Sequence, residues 1–161
     1  MTLDEVKQKF AGKVGEPSVR AVEKGSIKRY AEAVGNMNPL YIDEEYARNS
    51  RYGAIIAPPG FLGWPAKVGG PFIDKLMMDL VEAMYGAGFP NLLDAGIDLE
   101  FLVPVRDGDI LVSLPRVTDL MVRESKEGRK MVFGAIETTY HNQNGQLVIK
   151  ARQNLVCLPA A

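Results

Sequence analysis

The spacing of apolar and polar residues divides the chain into a mostly helical first half and a strand-forming second half. Leu3, Val6 and Phe10 recur at helical spacing and predict a short helix over residues 3–10. Val19, Ala21 and Glu23 alternate with Arg20, Val22 and Lys24, a strand that runs to the break at Gly25. Ile27, Tyr30, Ala31 and Val34 then share one helical face, with Ser26 placed to cap the start and Gly35 to end the helix. The stretch GNMNPLY, residues 35–41, reads as a loop. Asp43 caps the next short helix, whose first turn carries Glu44 and Glu45 where the helix dipole favours negative charge. An apolar run over residues 54–57 stops at Pro58-Pro59. Residues 60–68 are nearly all apolar and predict a buried helix limited or kinked by Pro59 and Pro65. Residues 72–85 predict a further helix with Ile73, Leu76, Met77, Leu80, Val81 and Met84 on one stripe.

From residue 97 the period changes from helical to alternating. Strands are predicted over residues 97–103, 109–122, 130–141 and 146–158, with Asn144-Gly145 as the signal for a two-residue type I′ hairpin. Helices first and long strands second give an α+β fold, read as a single domain over residues 1–161. A curved sheet with one hydrophobic face must cover that face, and the apolar helix over residues 59–68 can fill its concavity. Such packing leaves little room inside a monomer, so ligand sites are expected at edges or between subunits.

Composition narrows the class. Hydrophobic residues make up 47% of the 161 positions and charged residues 24%, ordinary globular usage. A net charge of −1, without a basic cluster longer than a pair, lacks the electrostatic footprint of a nucleic-acid binder. No apolar run reaches the roughly 18–20 residues of a membrane span, and the charged N-terminus does not read as a signal peptide, so a cytoplasmic location is expected. The lone Cys157 alternates with Leu155, a core position on a strand, and one Cys with one His cannot assemble a Cys/His zinc site.

The motifs then point further. GNMNPLY, DEEYAR at residues 43–48, SRYG at 50–53 and IAPP at 56–59 look like the MaoC-like hot-dog hydratases. The match is closest to the branch of the FAS1-like dehydratase, or MaoC N-terminal, domain. Glu100-Phe101, PVRDGD at 104–109 and the hairpin through Gln146 resemble the later part of that domain, so the similarity spans about residues 15–158. The resemblance implies a hot-dog fold, with the sheet wrapped round a central helix and dimers that join two sheets. It implies an acyl thioester on coenzyme A or acyl carrier protein as substrate, reversible hydration of a 2-enoyl thioester, no cofactor, and no metal.

The family's catalytic loop carries an Asp and a His that activate water and move a proton. At those positions this chain has Asn36 and Tyr41. An amide is no base, and phenols ordinarily titrate at about 10, so the dyad is not a working one. The binding half of the motif persists. Asn38 shapes the loop, and the turn at Pro58-Pro59-Gly60-Phe61 corresponds to the family's oxyanion site, where Pro59 has no N–H and Gly60 or Phe61 must supply it. Trp64 is expected to line an acyl pocket or the core. Asn36 reads equally as a helix cap, and Tyr41 as a buried aromatic. His141 lies beside the Asn144-Gly145 hairpin and reads as a surface residue. Asp94 is expected as a strand-end carboxylate or, less simply, as a replacement base.

These readings leave three functions open. The chain is a catalytically degenerate subunit that binds the acyl substrate beside an Asp/His-bearing homologous partner, a self-sufficient lyase with another acid-base pair, or an acyl-thioester binding protein without turnover.

Overall fold

In the computed structural model, which describes residues 1–61, 75–126 and 128–160, the alternating segments form one antiparallel sheet. The chain runs α1 (Leu3–Phe10), β1 (Ser18–Ala21), α2 (Lys24–Ala33), α3 (Pro39–Ile42), α4 (Glu44–Asn49), α5 (Lys75–Gly86), β2 (Asn91–Phe101), β3 (Ile110–Glu124), β4 (Lys130–His141) and β5 (Leu147–Leu158). The five strands lie in the order β1-β3-β4-β5-β2, so β1 and β2 are the edges. Register steps at Val117/Asp119 in β3 and at Asp94/Ile97 in β2 mark bulges, which bend strands and increase their twist.

Strand alternation sorts the side chains. Along β3, Leu111, Ser113, Pro115 and Val117 are buried while Val112 and Leu114 are exposed. Two apolar clusters sit on the inner face. One gathers Ile27 and Ala31 of α2, Tyr41 of α3 and Phe61 over Leu111 and Ile149. The other joins Val6 and Phe10 of α1 with Leu80 and Met84 of α5 over Val117 and Val132.

Several local expectations are corrected. The first strand is Ser18–Ala21, and α2 starts at Lys24 rather than after Ser26. The reason is a distant cap: the Lys24 amide donates to the Asp107 carboxylate at 2.8 Å, while the Ser26 hydroxyl accepts from Arg29. The hairpin is not a I′ turn, because Asn144, like every described residue other than glycine, does not have positive φ. Gly145 N–H donates to Asn142 C=O at 2.9 Å and the Asn142 side chain accepts from the Asn144 and Gln146 amides, so Asn142 organises a longer loop. β2 begins at Asn91 rather than residue 97, since Gly96, which reads as a break, is the bulge residue at φ 100. The predicted central helix lies beyond Phe61 and outside the described residues, as does Trp64.

Candidate functional site

Between the two apolar clusters the inner face bounds a cavity of about 630 Å³, within the range of small-molecule sites. Its floor is the sheet. β4 contributes Ile136, Thr138 and Tyr140, and β5 contributes Ala151, Gln153 and Leu155. The edge strand β2 adds Leu92, Asp94 and Ile97. Tyr30 of α2 and Gly60 stand on one side and Met77 of α5 on another, with Glu16, Ser18 and Arg20 toward β1.

Asp94 reaches this floor through the bulge. It pairs with Leu155 and Ile97 pairs with Gln153, so β2 takes three steps where β5 takes two. The carboxylate accepts from its own bulge amide, Gly96, at 2.9 Å and from the Gln153 side-chain amide at 3.2 Å. Asp94 thus lies within a strand and faces the cavity, rather than at a strand end.

The turn at Pro58–Phe61 follows from its residues. Phe61 N–H donates to Pro58 C=O at 3.1 Å, with Pro59 and Gly60 in the middle and Gly60 at φ 90, the pattern of a type II turn. A Cβ on Gly60 would overlap the Tyr30 hydroxyl, so glycine is required by space as well as by φ. The Tyr30 ring meets Phe61 edge-on at 5.7 Å. Of the two candidate donors at this turn, Phe61 N–H is taken by the turn itself. Gly60 N–H has no acceptor among the described residues and borders the cavity.

The dyad positions serve local structure. Asn36 N–H donates to Ala31 C=O at 2.8 Å and Gly35 N–H to Glu32 C=O at 3.1 Å, a Schellman closure of α2 with Gly35 at φ 70. The Asn36 side chain is exposed. The Asn38 side chain accepts from Leu40 N–H at 3.0 Å and Pro39 occupies the first helical turn, so the predicted loop contains the short helix α3. Tyr41 is 9% exposed and packed in the α2 cluster. Neither Asn36 nor Tyr41 is among the described residues that line the cavity.

Ion pairs tie the loop from outside. Glu44 of α4 accepts from Lys24 at 3.0 Å and Lys28 at 3.1 Å. These bonds, that of Lys24 first, hold the Glu44 carboxyl below its ordinary range, and Glu44 in turn raises Lys24. His141 is half-buried and pairs with the outward-facing Val112, away from the cavity. Cys157 is buried in the α1/α5 cluster and burial pushes its thiol up. Among the described residues no His, Cys, Asp and Glu side chains converge on a metal-binding group, and no helix is long and apolar enough to cross a membrane.

Thr138, Gln153 and Tyr30 escape a sequence reading organised around the loop. A signal existed for two of them. Thr138 and Gln153 are polar residues at inward positions of strands whose other inward residues are mostly apolar.

A curled five-stranded antiparallel sheet with its helices and cavity on the inner face defines an α+β protein of the hot-dog class. The fold superposes with a TM-score of 0.82 on a chain of the ChsH1-ChsH2 complex from Mycobacterium tuberculosis, at 18% identity over 99% of this chain and 97% of that one. The (R)-hydratase from A. caviae involved in PHA biosynthesis superposes at 0.59, with 21% identity over 92% and 96%. In sequence, a UPF0336 protein of Streptomyces griseus is 28% identical over 99% of this chain and 98% of its own length. A probable enoyl-CoA hydratase alpha subunit of Thermomonospora curvata is 27% identical over 81% of this chain and 43% of that protein. The FAS1-like dehydratase domain region matches residues 9–151, and the chain belongs to that family.

Proposed function

We propose that the chain is the substrate-binding subunit of an enoyl-thioester hydratase, or 3-hydroxyacyl dehydratase, working beside a hot-dog partner that carries the Asp and His. The observation that carries this reading is the division of labour in the site: the dyad positions hold Asn36 and Tyr41, used for a helix cap and for packing, while Gly60 lines the cavity with an N–H that has no acceptor among the described residues. Hydration places hydroxyl on Cβ and a proton on Cα of the 2-enoyl thioester. As negative charge builds on the thioester oxygen, a fixed N–H such as that of Gly60 stabilises it without reorganising. The water and the proton transfers belong to the partner's dyad.

The open edge of β2 supports a partner. β2 pairs only with β5 among the described strands and exposes Leu93, Ile97 and Phe101. Long apolar edges are templates for pairing, and a second hot-dog sheet would extend this one. Two similar structures, the ChsH1-ChsH2 complex and the HadBC 3R-hydroxyacyl-ACP dehydratase complex, are heteromeric.

The test mixes the chain with a candidate Asp/His-bearing hot-dog protein and follows hydration of crotonyl-CoA. Association with a gain in turnover is expected. A chain that neither binds any such partner nor changes its turnover contradicts the reading. One observation favours a second reading: Asp94 lies in the cavity wall and could act as base in a self-sufficient lyase. In that case the isolated chain hydrates crotonyl-CoA, and Asp94→Asn abolishes the activity.

A further inference from the structure

The inward residues of β5 run Ile149, Ala151, Gln153, Leu155 and Cys157, and those of β2 run Leu92, Asp94, Ile97, Leu99 and Phe101. Each strand places one polar side chain on an otherwise apolar face. The two meet, because the Gln153 amide donates to Asp94 at 3.2 Å. On the other side of β5, Thr138 of β4 pairs with Ala151, one inward step from Gln153. Asp94, Gln153 and Thr138 thus form a polar band across three adjacent strands on the cavity floor.

Polar groups on an inward face become costly when a ligand strips their water, unless that ligand hydrogen-bonds to them. Asp94 is exposed and Thr138 and Gln153 are half-buried, so water reaches all three. Among the described residues Asp94 accepts from the Gly96 amide and from Gln153, while the Thr138 hydroxyl and the Gln153 carbonyl have no protein partner and are served by solvent until a ligand covers them. What the band offers is mainly acceptors, a carboxylate and an amide carbonyl, with one hydroxyl. A methylene chain laid over it would strip water from these groups and return nothing. A keto group can accept from Thr138 but offers nothing to the carboxylate, so it forms one bond where a hydroxyl forms two. A hydroxyl donates to Asp94 or Gln153 and can accept from Thr138.

We propose that this band makes the cavity selective for an acyl group bearing a hydroxyl on its chain beyond the β-carbon. The inference rests on the acyl-thioester reading above and deepens it by naming the class of acyl group. Gly60, on the side wall, marks the thioester end, and the band marks the position of the distal hydroxyl.

The test is calorimetric titration of the full-length chain with octanoyl-CoA, with a set of octanoyl-CoAs each hydroxylated once at a successive carbon beyond the β position, and with the matching keto compounds. At least one hydroxylated ligand is expected to bind about tenfold tighter than octanoyl-CoA, the size of one charge-assisted hydrogen bond, and its keto counterpart to lose that advantage. Asp94→Asn and Thr138→Val should each bring the ratio of the two affinities toward one. The ratio is read within each variant, so partial unfolding, which lowers both affinities together, does not mask it. Octanoyl-CoA binding as tightly as every hydroxylated ligand overturns the selectivity and leaves the acyl-thioester reading standing. If none of the ligands binds, the acyl-thioester reading falls and the selectivity with it.

Discussion

The loop over residues 35–41 and the sheet floor around Asp94 put their polar residues to opposite uses. In the loop, Asn36 closes a helix through its backbone, Asn38 caps α3 and Tyr41 fills the core. On the floor, Asp94, Gln153 and Thr138 border a cavity that the apolar clusters on either side do not fill. A motif can therefore serve as architecture without acid-base residues, while the polar side chains proposed for recognition lie on strands the motif does not include. The difference turns on which polar atoms have partners inside the chain and which are left to a ligand.

If the loop is architecture, its substitutions should act on stability. Tyr41→Ala removes a buried ring and should cost about 3–5 kcal/mol in denaturant unfolding, whereas Tyr41→Phe should cost about 1 kcal/mol or less. A large activity loss in Tyr41→Phe with unchanged stability would break the comparison. Gly60→Ala meets both positive φ and the Tyr30 hydroxyl, so a loss of roughly 1–3 kcal/mol is expected together with weaker acyl-CoA binding by calorimetry. Asn38→Ala removes the cap of α3 and should lower stability by about 1 kcal/mol.

The smallest effect concerns the ion pairs outside the loop. The Glu44 carboxyl is held low in the folded state, so its contribution is present above the ordinary value of 4.5 and is lost as pH falls through the lower folded value. Lys24 is raised, so its share is present below 10.5 and is lost as pH rises through the higher folded value. Thermal melts of Glu44→Gln against wild type should differ near neutral pH by about one degree, as exposed pairs contribute little, and converge in acid. A difference that persists in acid would assign the effect to packing.

Where alternation is strict, the sequence is easily read, and β4 occupies the predicted residues 130–141. Interruptions hide structure. Gly96 splits β2 into a recognisable half and one that reads as a loop, although the ladder to β5 continues across the bulge. Asn38-Pro39 carries both signals of a helix start, but a helix of only four residues leaves no periodicity to detect. Ser26 was the local choice for a cap and Asp107 takes that place from 83 positions away, a contact no window of sequence contains. The candidate site divides similarly. That Asn36 and Tyr41 stand where the family motif carries Asp and His is visible in the letters, whereas the convergence of Asp94, Gln153 and Thr138 depends on the pairing of three strands.

The central claim is that this chain holds an acyl thioester but does not itself move the protons. The most direct measurement compares crotonyl-CoA hydration by the purified chain, by an Asp/His-bearing hot-dog partner and by the two together, with binding of octanoyl-CoA to the chain followed in parallel. The account predicts saturable binding by the chain, negligible turnover by the chain alone and a rise in turnover when the partner is present. Full turnover by the isolated chain, undiminished in Tyr41→Phe and lost in Asp94→Asn, would contradict it.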